Sequence, residues 1–263
     1  LCALYDPDPA QGSNPLLLAP GAALVVVAVL GLLSILTMPK LPAANPTLKI
    51  KFDPMRTYAR AIRDMGSALL SVTVAWAGFY MVGMIALLIV PEYENLLPIG
   101  YTGTSLLIGL LGVTIAISSV AAGFLSGRTI RPQLIPFGAA GMAVCFVLLG
   151  VLEPTIASVA TLIALAGLSA GFYIVPLQAL LQKLSPDGER GRFLGTANAM
   201  SFLASSAGAG LYWLLSGPMS VAPNRAFLAC GALAILGTAV GTMQLRRLLA
   251  ARAESALAVE STD

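Results

Sequence analysis

The sequence predicts an all-α bundle of membrane-spanning helices. Of its 263 residues, 57% are hydrophobic and only 10% are charged, and the mean hydropathy is +0.87. Soluble domains carry about 25% charged residues, so this chain has too little polar surface to cover itself in water and should lie in lipid. Its apolar residues form seven stretches, each of about 20 residues, the length that crosses a bilayer as a helix.

Prolines and charged residues mark the ends of these stretches. Pro39 closes the first, Pro91 closes the second, and Pro154, after Glu153, closes the fourth. The predicted spans run roughly over Leu16–Met38, Gly66–Val90, Thr102–Leu125, Leu134–Leu152, Ile156–Leu181, Phe193–Leu215 and Phe227–Leu245.

The basic residues predict how the spans are oriented. Fourteen of the 15 Lys and Arg residues lie after spans one, three and five or in the tail, four segments that alternate so as to share one side. Arg225 alone lies on the other side, together with acids such as Glu92 and Glu94. Because basic residues concentrate on the cytoplasmic side, we expect a periplasmic N-terminus and a cytoplasmic C-terminus.

A further helix is predicted in the connection after the first span. Asp53 suits an N-cap and Pro54 suits the first helical position. Apolar residues then recur at helical spacing, with arginines off that face: Met55, Tyr58, Ile62 and Met65. This pattern indicates an amphipathic helix on the inner leaflet; a solvated linker with scattered charge is the alternative.

The residue types inside the spans argue against an enzyme. The chain has no histidine, all four lysines lie outside the spans, and no Asp or Glu lies within one. A retinal Schiff base, an intramembrane protease and a proton relay each need such groups. The three cysteines are far apart, so we expect no metal site, cofactor or disulfide framework. A nucleic-acid partner is not expected either.

Neutral polar and aromatic residues inside the spans are the candidate substrate-binding groups. They are Trp76, Phe79 and Tyr80 in span two, Tyr173 and Gln178 in span five, and Asn198 in span six. The string A-G-F-Y occurs at Ala77–Tyr80 and again at Ala170–Tyr173, in helices that cross in opposite directions. An inverted three-plus-three repeat would produce this, although aromatic packing between helices would also account for it.

The turn from Gly123 to Arg131 resembles the G-x-x-x-D-R-x-G-R motif of the major facilitator superfamily. Gly123 and Arg128 match, whereas Gly127 replaces the Asp and Ile130 replaces a Gly. The resemblance implies that the seven spans correspond to helices six to twelve of a twelve-helix transporter. The chain begins with Leu1 and no signal peptide precedes the first span, so we expect a fragment whose N-terminal six-helix half lies upstream.

This resemblance implies four parts of the chain. Residues 1–38 are a periplasmic segment and the last helix of the N-terminal half. Residues 39–64 are the cytoplasmic loop between the halves, including the amphipathic helix. Residues 65–246 are the six-helix transport domain, and residues 247–263 are a cytoplasmic tail.

Two strings are similar to the bacterial lysophospholipid transporters. One is Ala75–Tyr80, and the other is Val175–Gln182, V-P-L-Q-A-L-L-Q, in which Gln178 stands where that family usually has Asn. The second is followed by Arg190-Gly191-Arg192 and Asn198. The similarity implies alternating access, a lysophospholipid or similar amphiphile as cargo, the bacterial inner membrane as location, and an acyltransferase as a candidate partner.

Two cytoplasmic turns are candidates for a gate. Arg128 and Arg131 lie on one, and Glu189, Arg190 and Arg192 lie on the other. They are expected to pair across the gate and to separate as the halves rock; simple positive-inside anchoring is the alternative. Two other functions remain open: a drug or small-metabolite exporter of the same fold, and a membrane scaffold or receptor that transports nothing.

Overall fold

The structure is a computed structural model that describes residues 19–37, 54–127 and 129–239. These residues form α-helices and two short 3-10 helices, at Val90–Asn95 and Asp187–Glu189, and contain no β-strand. The α-helices are α1 (Ala19–Leu36), α2 (Pro54–Asp64), α3 (Ser67–Ile89), α4 (Gly100–Ser126), α5 (Leu134–Val151), α6 (Ile156–Leu184), α7 (Arg190–Ser216) and α8, which is described over residues 223–239.

The helix boundaries agree closely with the spans predicted from hydropathy. α3 and α5 begin and end within one residue of the prediction, whereas α6 continues to Leu184 and α7 begins at Arg190. The amphipathic helix after Asp53 is present as α2. The predicted periplasmic segment, most of the loop between the halves, the cytoplasmic tail and Arg128 lie outside the described residues.

Four described helices are long and apolar enough to cross a membrane: Ser67–Asn95, Gly100–Ser126, Leu134–Val151 and Ile156–Leu184. The apolar segment described in α1 is shorter, Gly21–Leu36. α7 is long enough, with 27 residues, but glycine, serine and asparagine make it less apolar. The total of seven spans therefore stays a prediction.

The helices pack as two layers. α4 packs on α6, α6 contacts α3, and α3 packs on α7, so these four helices form one row. α5 packs on α6. α8 contacts both α3, where the Cys230 thiol lies 3.9 Å from the Val82 carbonyl oxygen, and α5, where Gly150 faces Leu228. α5 and α8 are therefore the second layer.

Three aromatic rings pack together near the ends of α3 and α5. The Phe227 ring of α8 stacks on Phe146 at 5.8 Å and lies 6.0 Å from the ring of Tyr93, which is fully buried. Such pairs contribute about 0.5–1.5 kcal/mol each beyond the area that they bury. α1, in contrast, is exposed along all of its described side chains.

Candidate functional site

The structure brings four of the six predicted substrate-binding residues into one aromatic cluster between α3 and α6. Phe79 stacks on Tyr173 with 5.6 Å between ring centroids and 21° between planes. Tyr80 meets Phe79 edge to face at 5.7 Å and Trp76 at 5.2 Å. These three contacts form a continuous chain of rings from α6 across α3.

The polar atoms of this cluster have different surroundings. The Tyr173 hydroxyl donates a hydrogen bond to the Ala75 carbonyl oxygen at 3.1 Å, so it already has a partner. The Trp76 Nε1–H is buried and has no hydrogen-bond partner among the described residues. An unpaired buried donor costs about 1–3 kcal/mol, so Trp76 holds a donor that a bound molecule could satisfy once the side chains covering it move aside.

Trp76 and Tyr80 belong to one stripe of α3. With Gly83 and Leu87 they follow a spacing of four, three and four residues, which keeps them on one face of a helix. Tyr80, Gly83 and Leu87 are exposed, while Trp76 lies beneath Tyr80. α6 and α7, which flank α3, hardly contact one another, so the open stripe, defined as these four residues, has room beside it.

Gln178 and Asn198 are exposed and lie toward the α6–α7 turn. Gln178 is five residues beyond Tyr173 on α6, which turns it about 140° away from the Tyr173 direction. The structure therefore does not add Gln178 to the aromatic cluster. The backbone carbonyl oxygen of Asn198 accepts a hydrogen bond from the Ser201 hydroxyl at 2.7 Å.

The charged turn between α6 and α7 is held by local ion pairs. Arg190 pairs with Asp187 at 2.6 Å, and Arg192 pairs with Glu189 at 2.9 Å. Arg192 also binds the carboxylate of Asp64, the last residue of α2. This contact joins residues 128 positions apart, and sequence reasoning missed it because nothing local marks Asp64 as a partner.

These pairs bear on the predicted gate. Glu189, Arg190 and Arg192 are all engaged on their own turn or with α2. Arg131, on the turn between α4 and α5, is exposed. Arg128 of the same turn lies outside the described residues. Pairing between the two turns therefore stays a prediction, and the described contact to α2 competes with it for Arg192.

Gly127 has a conformational reason for departing from the motif. Gly127 caps the C-terminal end of α4, and the Gly127 N–H donates to the Gly123 carbonyl oxygen at 3.1 Å. Gly127 adopts φ +53° and ψ −125°, a backbone conformation that glycine enters freely and residues with a Cβ rarely adopt. An Asp at this position, as the motif prefers, would be strained in this turn.

Metal-binding chemistry has no support in the described ranges. They contain no group of three or more His, Cys, Asp or Glu residues that could hold an ion. Cys145 and Cys230 are buried and free.

The architecture defines the class of protein first. Several long apolar helices, connected by charged turns and packed in two layers, make this a multi-pass helical membrane protein.

The family follows from comparison with known proteins. The family model described as Major Facilitator Superfamily matches residues 12–209, well over half of the chain, and the chain belongs to this superfamily of membrane transporters. Transporters of this superfamily are in general not enzymes, in agreement with the expectation from the spans. A search of curated proteins found no match to the chain.

Proposed function

We propose that this chain forms the C-terminal half of an alternating-access transporter that carries lysophospholipid, or a similar single-chain amphiphile, across the bacterial inner membrane. In this proposal its spans are helices six to twelve, its N-terminus is periplasmic and its C-terminus is cytoplasmic. A second six-helix half supplies the opposite wall of the cavity, which lies between the halves.

The unpaired indole N–H of Trp76 within an aromatic wall is the observation that carries the proposal. An amphiphile needs an extensive apolar surface together with a small number of placed polar groups. The open stripe of α3 supplies both: Tyr80 and Leu87 expose apolar surface, and Trp76 holds a donor that becomes accessible when Tyr80 moves aside. α3, α4 and α5 contain no charged residue, which suits a cargo of zero net charge better than a charged solute.

Cytoplasmic contacts suggest how the cycle is coupled to the loop between the halves. The Arg192–Asp64 contact ties α2 to the start of α7. Met55 and Tyr58 are exposed on α2, so we place its apolar face on the inner leaflet, with the basic side toward anionic headgroups. Rocking of the halves would then make and break the contacts of Arg192.

The test is transfer of labelled lysophosphatidylethanolamine into spheroplasts that express the transporter including both halves. Trp76→Phe keeps an aromatic ring but removes the N–H, so uptake should fall by about 2- to 10-fold, the value of one hydrogen bond. Trp213→Phe is the matched control, because Trp213 is exposed on α7 and lies outside the aromatic cluster. Uptake by Trp76→Phe equal to that of the unaltered transporter would remove the central support.

Two further variants separate the apolar wall from the headgroup. Trp76→Ala also removes apolar surface, and lipid binding should weaken by roughly 1–3 kcal/mol. Gln178→Ala should impair headgroup discrimination and leave the fold intact, because Gln178 is exposed. Equal discrimination between lysophosphatidylethanolamine and other lysolipids before and after the change would take Gln178 out of the site.

A drug or small-metabolite exporter is the second candidate. The exposed Tyr80 ring could stack on a planar aromatic drug as well as it contacts an acyl chain. A cationic dye assayed beside the lysolipid decides between them. Transport of the dye without the lysolipid would favour the exporter and would also remove an acyltransferase as a candidate partner.

A further inference from the structure

An apolar cavity of about 220 Å³ lies between the two layers of the bundle. Its walls come from α3, α5 and α8, with Val74, Gly78, Ala139, Met142, Leu236 and Gly237 among the lining residues. Phe79 and Tyr173 also line it. Because the Tyr173 hydroxyl donates its proton to the Ala75 carbonyl oxygen, it offers no free donor to an occupant.

This cavity lies on the other side of α3 from the open stripe. Val74, Gly78 and Val82 follow one another at four-residue steps and line the cavity. Trp76 is two residues from Val74, which places the two side chains about 200° apart around the helix. A molecule in the cavity is therefore separated by α3 from a cargo bound at Trp76 and Tyr80.

The mouth of the cavity opens on an apolar outer surface of the bundle. Val74 on α3 is 50% exposed and Leu236 on α8 is 61% exposed, and α3 and α5 both belong to the helices that can cross the membrane. Where this surface borders the bilayer, lipid chains have direct access to a space lined almost entirely by apolar atoms. A polar or charged occupant would lose its hydration there and find few hydrogen-bond partners to replace it.

We propose that this cavity binds the end of one acyl chain of a bilayer phospholipid. Its volume is below the roughly 300–1,000 Å³ of pockets that enclose a whole small molecule, so the headgroup and second chain stay outside. The inserted chain contacts Phe79 and Tyr173, and Phe79 in turn contacts Tyr80 of the open stripe. The surrounding membrane would in this way support the aromatic cluster from behind.

The test uses a diacyl phosphatidylethanolamine that carries a photoreactive diazirine near the end of one chain, with the full chain in nanodiscs. Crosslinks are mapped by mass spectrometry. Met142 lines the cavity and is only 6% exposed, so lipid on the outer surface does not reach it. It also lines a smaller apolar cavity of about 70 Å³ that Gly78 and Gly237 do not border, so the filled variants described next assign the label to one cavity. We expect Met142 to be labelled in the unaltered protein.

Two glycines allow the cavity to be filled without a clash at the backbone. A Cβ built at Gly78 or at Gly237 meets no atom within 4 Å. Gly78→Leu and Gly237→Leu should each reduce labelling of Met142 at least fivefold. Gly112→Leu is the matched control: its Cβ also meets no atom within 4 Å, but it lies on α4 away from the cavity, and labelling should be unchanged.

Three results would overturn the proposal. The first is absence of Met142 labelling in the unaltered protein. The second is labelling of Met142 in both filled variants that equals its labelling in the unaltered protein. The third is labelling by a photoreactive lysolipid but not by the diacyl lipid. The last result would make the cavity part of the cargo path. The labelling is measured without transport, so its outcome is independent of whether lysophospholipid is the cargo.

Discussion

The α4–α6 and α3–α7 contacts occupy corresponding places in the row of four helices but differ in how they are made. On α6, Gly167 and Gly171 admit the Thr114 and Ser118 side chains of α4. The Ser118 hydroxyl proton is shared between the Gly167 carbonyl oxygen at 3.1 Å and the Ile115 carbonyl oxygen of its own helix at 3.0 Å. Two glycines and an interhelical hydrogen bond thus hold α4 against α6 at two successive levels.

In the α3–α7 contact, close approach of the two helices is seen at one glycine, Gly208. A Cβ built on Gly208 of α7 would lie 2.7 Å from the Met81 carbonyl oxygen, and its next neighbours are side-chain atoms of Met81 and Ile85 at 3.2 and 3.4 Å. The Ser205 hydroxyl is 3.5 Å from the Tyr80 carbonyl oxygen, at the limit of a hydrogen bond. The difference suggests a rigid pair and an adaptable pair, and the adaptable pair includes the helix that carries the open stripe.

The largest expected effect is that of Gly171→Ala in the rigid pair. The added methyl group would overlap the Ser118 hydroxyl and lie 2.6 Å from the Ser119 backbone nitrogen, so α4 and α6 must separate. We expect a loss of about 3 kcal/mol or more, the upper range for overpacking, seen as a lower melting temperature of the purified protein. Gly112→Ala, with open space at its Cβ, is the control, and equal melting temperatures would contradict the rigid pair.

Gly208→Ala tests the adaptable pair with the same change. Of the three atoms nearest to the added methyl group, one belongs to the backbone, and the Met81 side chain can move aside. A smaller loss of about 1–2 kcal/mol is expected, measured under the same conditions. If Gly208→Ala destabilised the protein more than Gly171→Ala, the ranking of the two pairs would be reversed.

Two serine variants compare the polar contacts. Ser118→Ala removes the bond to the Gly167 carbonyl and should cost about 0.6 kcal/mol, the average for interhelical hydrogen bonds in membranes. Ser205→Ala removes only the 3.5 Å contact and should lie within experimental error of the unaltered protein. Thermal unfolding of both variants side by side measures the difference, and a larger effect for Ser205→Ala would argue against it.

Asp64→Asn should have a small effect on stability. It removes the charge that Arg192 binds from α2, but both side chains are partly exposed and Arg192 keeps Glu189. The loss should be below about 1 kcal/mol. Its sharper readout is proteolysis of α2, which should become faster if this pair is what holds α2 on α7; an unchanged rate would mean that other contacts hold it.

The sequence was a good guide to the helices and a partial guide to the site. Uninterrupted apolar stretches of spanning length located α3 and α5 to within one residue, because in lipid a backbone must satisfy its own hydrogen bonds. The sequence also singled out Trp76, Phe79, Tyr80 and Tyr173, which the structure brings into contact.

The repeated A-G-F-Y string shows where this guidance ended. Phe79 and Phe172 hold the same place in the two copies, yet Phe79 stacks on Tyr173 while Phe172 meets Phe137 at 6.2 Å. A string match fixes neither the rotation of a helix nor its neighbours. The two copies therefore have different environments, and the repeat in the sequence is not reproduced in these contacts.

Composition and periodicity by themselves determined that this protein is a bundle of apolar helices with charged turns, because hydrophobic length and charge placement act locally along the chain. Only the tertiary structure decided that Arg192 reaches Asp64, that Trp76 keeps an unpaired donor beneath Tyr80, and that an apolar cavity opens behind α3. These features depend on which helix faces which, and that depends on close packing between residues far apart in sequence. No local pattern records such contacts.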